Sequence, residues 1–231
     1  MNHTRHRLGS FIAAGALCVP SLLSAADPER KQHRVAISAE GGTLGIGASA
    51  WYSFNESFSI NGGYNWLDYS KDVETSDVNY GGDLTLVNFP LMLNWHPFKG
   101  LFRLVGGAVF ADNKIEVRGR PSANATYEIN GTTYTAAQIG TLRGSAKFGD
   151  DVAPYLGLGW SKAPRQKGFG FFSDIGVMFS GSPTVKLSVS GTIGNDPAFQ
   201  RDLAQEVKKV NDELDYVKVY PVIRFGVMYR F

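Results

Sequence analysis

The chain ends in PVIRFGVMYRF, Pro221 to Phe231, and the reading of that stretch decides the fold. One set of side chains runs Pro221, Ile223, Phe225, Val227, Tyr229, Phe231, and the other Val222, Arg224, Gly226, Met228, Arg230. A period of two is that of a β-strand, whose successive side chains point to opposite faces. One face is apolar and the other mixed, so the apolar face needs a partner other than water.

The same alternation recurs upstream. Phe58, Ile60, Gly62, Tyr64 and Trp66 interleave with Ser59, Asn61, Gly63 and Asn65, and Val87–Trp95, Phe102–Phe110, Val152–Trp160 and Phe169–Phe179 repeat the pattern. A soluble β-sandwich would alternate too, with its apolar faces buried on each other. The connections separate the two architectures. Ser53–Ser57, His96–Gly100 and Ala163–Lys167 read as short turns, whereas Ser70–Gly82, Lys114–Gly149 and Gly181–Asp215 read as long loops. Short and long alternate along the chain, as they do when one end of a membrane barrel carries periplasmic turns and the other extracellular loops. Large rings gather beside the short turns: Tyr52, Phe58, Trp95, Phe102, Trp160 and Phe169, with Tyr229 and Phe231 at the terminus. At one level around a barrel they would form a membrane-interface girdle.

Counting back from Phe231 gives seven strands, but single-chain bacterial barrels have an even number, so that no edge stays open. Arg34–Glu40 supplies an eighth, with Gly41-Gly42 as a tight turn; the other reading makes Val35–Tyr52 one long bulged strand. The expected fold is all-β: a transmembrane antiparallel β-barrel of about eight strands, with both termini periplasmic and a short helix in the last extracellular loop. Asn130-Gly131, between Tyr127–Ile129 and Thr132–Tyr134, predicts a type I′ hairpin within the long third loop. Asp196-Pro197 predicts an N-cap and first helical residue, after which Phe199, Leu203, Val207, Val210 and Leu214 recur at helical spacing. That helix either lies over the barrel mouth as a lid or packs on neighbouring loop residues. Thr184–Gly191 also alternates, as an extension of the preceding strand above the membrane.

The N-terminus predicts the compartment. Arg5 and Arg7, then the apolar run Leu8–Leu23 and the small residues Ser24-Ala25-Ala26, read as a signal peptide over residues 1–26, leaving 27–231 as an outer-membrane barrel domain. The run is short for a membrane-spanning helix and contains Pro20, and Leu17 is too bulky for a lipoprotein site at Cys18. Removing the segment takes away the single cysteine and two of the 23 basic residues, leaving 21 against 21 acidic ones. A neutral chain without a basic face does not read as a nucleic-acid binder, and a chain without thiols has no disulfide framework.

The catalytic inventory is thin. His3 and His6 leave with the signal, His33 precedes the first strand and His96 falls in a periplasmic turn, so none is placed as a base beside a serine on the loop side. Gly42, Gly45 and Gly47 resemble a fragment of a nucleotide loop but have no helix after them; they fit close backbone approach in a twisted hairpin. Asp150-Asp151 reads as a solvated loop end more readily than as a cation site. No enzyme activity, metal or cofactor is expected. The interior is the informative region: if the apolar faces meet lipid, then Glu40, Arg103, Asp174 and Arg224 point inward, with Asn61, Asn88, Tyr155 and Arg230 near them. Charges there must pair or be hydrated. An eight-stranded barrel is just wide enough for side chains to fill, so these groups fit a salt-bridged plug better than an open channel. Outside, Arg118, Arg120 and Arg143 read either as a contact for anionic lipid sugars or as a plain solvated face.

The stretches GTLRGSAKFGDDVAPYLGLGW (Gly140 to Trp160) and FSGSPTVKLSVSG (Phe179 to Gly191), the helical segment NDPAFQRDLAQEVKKVNDELDY and the terminal strand resemble the CarO-type outer-membrane proteins, associated with carbapenem susceptibility. The resemblance covers most of the mature chain. It implies a small closed barrel and the uptake of small solutes, with basic amino acids such as ornithine and some β-lactams proposed. Phe231 resembles the C-terminal signal read by the outer-membrane assembly machinery, which gives the chain a reason to stop on an aromatic. The expectation is therefore a monomeric barrel, in contact with outer-membrane lipids and lipopolysaccharide, that permits slow passive uptake of small polar or zwitterionic solutes. The alternative is a non-transporting structural barrel that presents its extracellular loops to a surface partner.

Overall fold

The computed structural model describes residues 34–74, 78–121, 126–161 and 167–231. The signal-peptide reading of residues 1–26 and the position of His33 lie outside them.

The strands in chain order are β1 (Val35–Gly42), β2 (Gly45–Ser53), β3 (Phe58–Glu74), β4 (Val78–Trp95), β5 (Phe102–Ala111), β6 (Lys114–Pro121), β7 (Thr126–Ile129), β8 (Thr132–Thr135), β9 (Leu142–Lys147), β10 (Val152–Ser161), β11 (Gly168–Phe179), β12 (Thr184–Val189) and β13 (Val219–Arg230). The helices are α1 (Ala136–Ile139) and α2 (Pro197–Leu214). Eight strands close an antiparallel ring in the order β4-β3-β2-β1-β13-β11-β10-β5 and back to β4. The first and last strands seal it, Ala36 opposite Arg230 and Gly42 opposite Arg224. Within the ring every strand has two neighbours, which satisfies the backbone without water.

The first hairpin differs from the sequence reading. Gly42 pairs with Gly45, so the turn is Thr43-Leu44 rather than Gly41-Gly42, and β1 and β2 are separate strands. The glycines serve the packing. A Cβ on Gly42 would lie 1.9 Å from the Ile223 carbonyl oxygen, and Gly45 has φ +104°. Thr43 ties the turn to β13: its N–H donates to Ile223 O (3.0 Å), its hydroxyl donates to Pro221 O (3.1 Å) and accepts from Ile223 N–H (3.1 Å).

A second difference concerns the long loops, because much of their length is strand. β3 and β4 stay paired beyond the apolar positions, Ser70 with Asp83 and Asp72 with Gly81, so the Ser70–Gly82 loop is mostly hairpin. β6 continues β5 in unbroken register along β4: Ala111 faces Asn88 and Lys114 faces Thr85. At the interruption the Asn113 side chain takes over the ladder, its Oδ1 accepting from Val87 N–H at 3.1 Å. β9 pairs with β6 and β12 with β9, so the wall of the barrel rises past the ring on one side.

Two loop elements take the forms the sequence predicts. The β7–β8 turn has Asn130 at φ 51° and Gly131 at φ 80°, both left-handed as a type I′ turn requires. Asp196 caps α2, accepting from Ala198 N–H (2.8 Å) and Phe199 N–H (3.0 Å), with Pro197 in the first turn. Of the two placements open for the helix, the observed one is on neighbouring loop elements: Phe199 and Leu203 bury against Ile129, Tyr134 and Ile139, with Leu187 and Val189 of β12 alongside. The edge of β12 is closed by the Asn211 amide, which accepts from Val185 N–H (2.8 Å) and donates to Val185 O (3.2 Å).

Candidate functional site

Inward and outward positions separate by parity. On β10 burial alternates strictly, Ala153, Tyr155, Gly157, Gly159 and Ser161 inside, Leu156, Leu158 and Trp160 outside. Leu156, Phe171 and Phe225, all outward, are 61%, 73% and 62% exposed. Such exposure over a whole cylinder suits hydrocarbon as its solvent.

The inside is tiered. Along β11 and β13 from the short-turn end come first Phe172 and Met228, which pack with Ala36 and Trp51; then Asp174 and Arg224; then Met178 and Val222, which pack with Leu44, Met92, Val105, Val109 and Tyr155. Two apolar tiers therefore enclose an ionic one.

In that tier the structure brings Glu40, Arg103, Asp174 and Arg224 together. Arg103 Nη2 donates to Asp174 Oδ1 at 2.5 Å and Nη1 to Asn94 Oδ1 at 2.7 Å. Arg224 Nη2 donates to both Glu40 oxygens at 2.9 Å, while its Nη1 lies 3.6 Å from Asp174 Oδ2. Asn94 Nδ2 donates onward to Asn61 Oδ1 at 2.9 Å. The chain Glu40–Arg224–Asp174–Arg103–Asn94–Asn61 thus draws on six of the eight ring strands. Both guanidiniums also lie near aromatic rings, Arg103 at 4.9 Å from Trp51 and Arg224 at 5.8 Å from Phe172, a favourable desolvated contact.

Of the other four inward residues, Tyr155 adjoins this tier, while Asn88 donates to Leu44 O (2.9 Å) and exchanges hydrogen bonds with Asn113. Arg230 stands at the short-turn end, donating to Ser53 Oγ at 3.0 Å. Sequence reasoning missed Asn94, whose inner parity on β4 was available as a signal, and Leu44, which a polar turn would not contain. It also missed why glycine recurs on the inner face. A Cβ on Gly159 would meet Asp174 Oδ1 at 2.3 Å and Arg103 Nε at 2.6 Å; one on Gly226 would meet the Phe172 ring at 2.5 Å. These glycines vacate the volume that the large inner side chains occupy.

The tier is buried but incompletely paired. The side chains of Arg103, Asp174, Arg224 and Glu40 are 0–1% exposed. Arg103 Nε, Arg224 Nε and Tyr155 OH have no hydrogen-bond partner among the described residues. Buried polar atoms of this kind are few in native folds, and each requires a reason.

The eight aromatics flank the short turns on the outer face and touch around the rim: Phe58 stacks on Trp95 (6.3 Å), Phe102 meets Trp160 (6.1 Å), Phe169 meets Tyr229 (5.0 Å) and Tyr229 meets Phe231 (5.4 Å), while Tyr52 meets Phe54 (5.3 Å).

An antiparallel ring closed on itself, apolar outside and ionic within, defines the class: a transmembrane β-barrel of outer-membrane type. Within that class its architecture is similar to that of CarO2 from Acinetobacter baumannii, with 25% identity and a TM-score of 0.59 over 86% of this chain and 98% of that one. CarO from the same organism matches at 26% identity, a TM-score of 0.59 and the same coverage. The chain is CarO-like in fold. A major outer membrane protein from Thermus thermophilus matches at 13% identity and a TM-score of 0.39, over 85% of this chain and 99% of that one, too distant to carry an argument. No family model matches the chain, and no curated protein does.

Proposed function

We propose that this barrel admits small polar or zwitterionic solutes slowly and passively across the outer membrane, by rearrangement of its ionic tier. Basic amino acids are the favoured class, with β-lactams as a second. The observation that carries the reading is the composition of that tier. Two arginines and two carboxylates buried in the lumen have a desolvation cost that apolar side chains of equal volume avoid, and the tiers on either side are apolar. A plug alone needs no charge. A zwitterion presents one carboxylate and one ammonium, which can replace one member of the Arg103–Asp174 or Arg224–Glu40 pair in turn, and the unpartnered Arg103 Nε, Arg224 Nε and Tyr155 OH offer further contacts. Similarity to CarO and CarO2 supports the same reading, because the resemblance implies a closed barrel with solute uptake, and membership of that family is part of the proposal. The short turns and both termini face the periplasm, the eight rings lie at the inner interface, and the barrel assembly machinery reads the terminal strand.

Liposome swelling with purified protein tests the proposal. Glycine or ornithine should enter faster than into protein-free vesicles, and Asp174→Ala should raise the rate. Flux equal to that of empty vesicles in both proteins removes the transport claim.

A second reading has its own observation. The ionic side chains are 0–1% exposed, and the loop elements form a separate core of Ile129, Tyr134, Ile139, Phe199 and Leu203. A non-transporting anchor for that module would look the same. Deleting residues 122–142 separates the two: a solute route stays unchanged or opens, whereas an anchor loses its surface binding with no effect on flux.

A further inference from the structure

We propose a binding site on the outer side of the wall made by β6, β9 and β12: the anionic sugar headgroup of an outer-leaflet glycolipid binds across Arg118, Arg143 and Lys186. This rests on the long-loop end facing the cell exterior and is independent of solute passage.

Paired residues share a face, so the outer face can be followed upward strand by strand. Apolar outward positions end at Phe110, Val152 and Phe179. Above them come Lys114 opposite Lys147, then Glu116, Ser145 and Lys186 in one row, then Arg118, Arg143 and Ser188 in the next. The side chain of Arg120 lies outside the described residues. The opposite face of this wall is covered, since Leu142, Leu187 and Val189 pack against the Phe199–Leu203 core. Only the basic face is free.

Arg118 stands directly across from Arg143. Like charges directly opposed on a sheet are destabilising, and nothing in the fold requires them. Arg118 is partly neutralised by Asp83 at 2.6 Å and, more weakly, by Glu116 at 3.9 Å, and Lys114 and Lys147 pair with Asp112 and Asp151. The side chains of Arg143 and Lys186 make no hydrogen bond or ion pair among the described residues. They line a groove of about 420 Å³ with Arg118, Ser145, Ser188 and Glu116, three cations and two hydroxyls against one carboxylate. An oxygen-rich anion satisfies that set.

Height selects the occupant. Arg118 is eight residues beyond Phe110. At ~3.3 Å per residue and a tilt of ~45° it stands roughly 19 Å above the last apolar ring. Phospholipid headgroups extend only about 5–8 Å from the hydrocarbon. A phospholipid phosphate falls short of the Arg118–Arg143 row, and a glycolipid with acidic or phosphorylated core sugars reaches it.

The test uses full-length protein in neutral detergent, titrated with lipopolysaccharide bearing a phosphorylated inner core and read by native mass spectrometry. Phosphatidylglycerol and inorganic phosphate are run in parallel. Losing both cations, in Arg143→Ala with Lys186→Ala, should weaken glycolipid binding about 30-fold, with heat-modifiable migration on gels showing that the barrel is intact. The charge-keeping pair Arg143→Lys and Lys186→Arg should retain binding. Equal affinity in wild type and the alanine pair overturns the site, and so does loss of binding in the charge-keeping pair. Phosphatidylglycerol binding as tightly as the glycolipid, or inorganic phosphate displacing it at equal concentration, overturns the assignment of the occupant.

Discussion

Replacing Asp174 with asparagine removes one negative charge from a set of two arginines and two carboxylates and leaves the shape nearly unchanged. Asp174 is held between Arg103 at 2.5 Å and Arg224 at 3.6 Å, and all four side chains are 0–1% exposed. Glu40 already binds Arg224 through both oxygens, so it does not turn to Arg103 without breaking that pair. The variant therefore leaves a desolvated guanidinium without its counter-ion, a change that costs about 3–5 kcal/mol in buried pairs. Burial sets this magnitude. The Lys208–Asp212 pair is just as close, 2.6 Å, but 74% and 64% exposed, and its removal should cost at most about 1 kcal/mol. Urea unfolding in lipid vesicles, followed by tryptophan fluorescence, measures both. The double variant Arg103→Met with Asp174→Leu should recover most of the lost stability, because it removes both charges together. An Asp174→Asn protein within about 1 kcal/mol of wild type would show the tier to be well hydrated, and would refute the reasoning.

Gly159→Ala should destabilise by about 1–3 kcal/mol, as overpacking does, since its Cβ would displace Asp174 or Arg103; equal unfolding midpoints would show that the tier has slack. Leu44→Ala should cost about 2–5 kcal/mol as a buried leucine yet leave flux near the wild-type level, because the ionic tier stays in place; swelling assays showing the increase expected of Asp174→Ala would contradict this. Asp196→Ala should lower the stability of α2 by about 1 kcal/mol, seen as faster hydrogen exchange in α2 with barrel exchange unchanged. Hydrogen bonds from Tyr134 and then Asn130 hold the Asp202 carboxyl below its ordinary 3.8, so the contribution of Asp202 to docking α2 on the β7–β8 hairpin is full above 3.8 and lost as pH falls through the lower folded value. Hairpin exchange protection should drop in that acid range and be pH-independent in Asp202→Asn; protection that holds through it would contradict the assignment.

The ring strands were legible because each one has lipid on one side and the lumen on the other, so parity alone predicts Glu40, Arg103, Asp174 and Arg224 on one surface. The type I′ turn at Asn130-Gly131 and the Asp196-Pro197 helix start were legible because both are fixed by local dihedral and capping chemistry. What failed lies where the environment changes. Above the apolar band the outward faces of β3, β4, β6 and β9 turn polar, so Ser70 and Asp72 read as loop although they continue the ladder. Pairing partners far apart in sequence, such as β12 with β9, leave no local trace. The first turn misled because Gly41-Gly42 has turn chemistry, while the contact that decides the register is the approach of Gly42 to Ile223, 181 residues away.

The tiers also bear on how one narrow barrel would combine stability with the proposed solute passage. Closure at the long-loop end depends on Leu44, carried on a two-residue turn and anchored through Thr43 and through Tyr220, whose hydroxyl donates to Thr43 O at 2.7 Å. Closure in the middle depends on ion pairs whose partners can be exchanged, and closure below on Trp51 and Phe172 edge-to-face at 5.1 Å. A hydrated ion could not displace the apolar tiers without leaving its own shell, whereas a small zwitterion brings a counter-charge of each sign to the middle one. Selection in such a barrel would follow from the order in which solvation is lost and replaced, so the proposed slow passage of small zwitterions and an exclusion of simple ions would have the same cause.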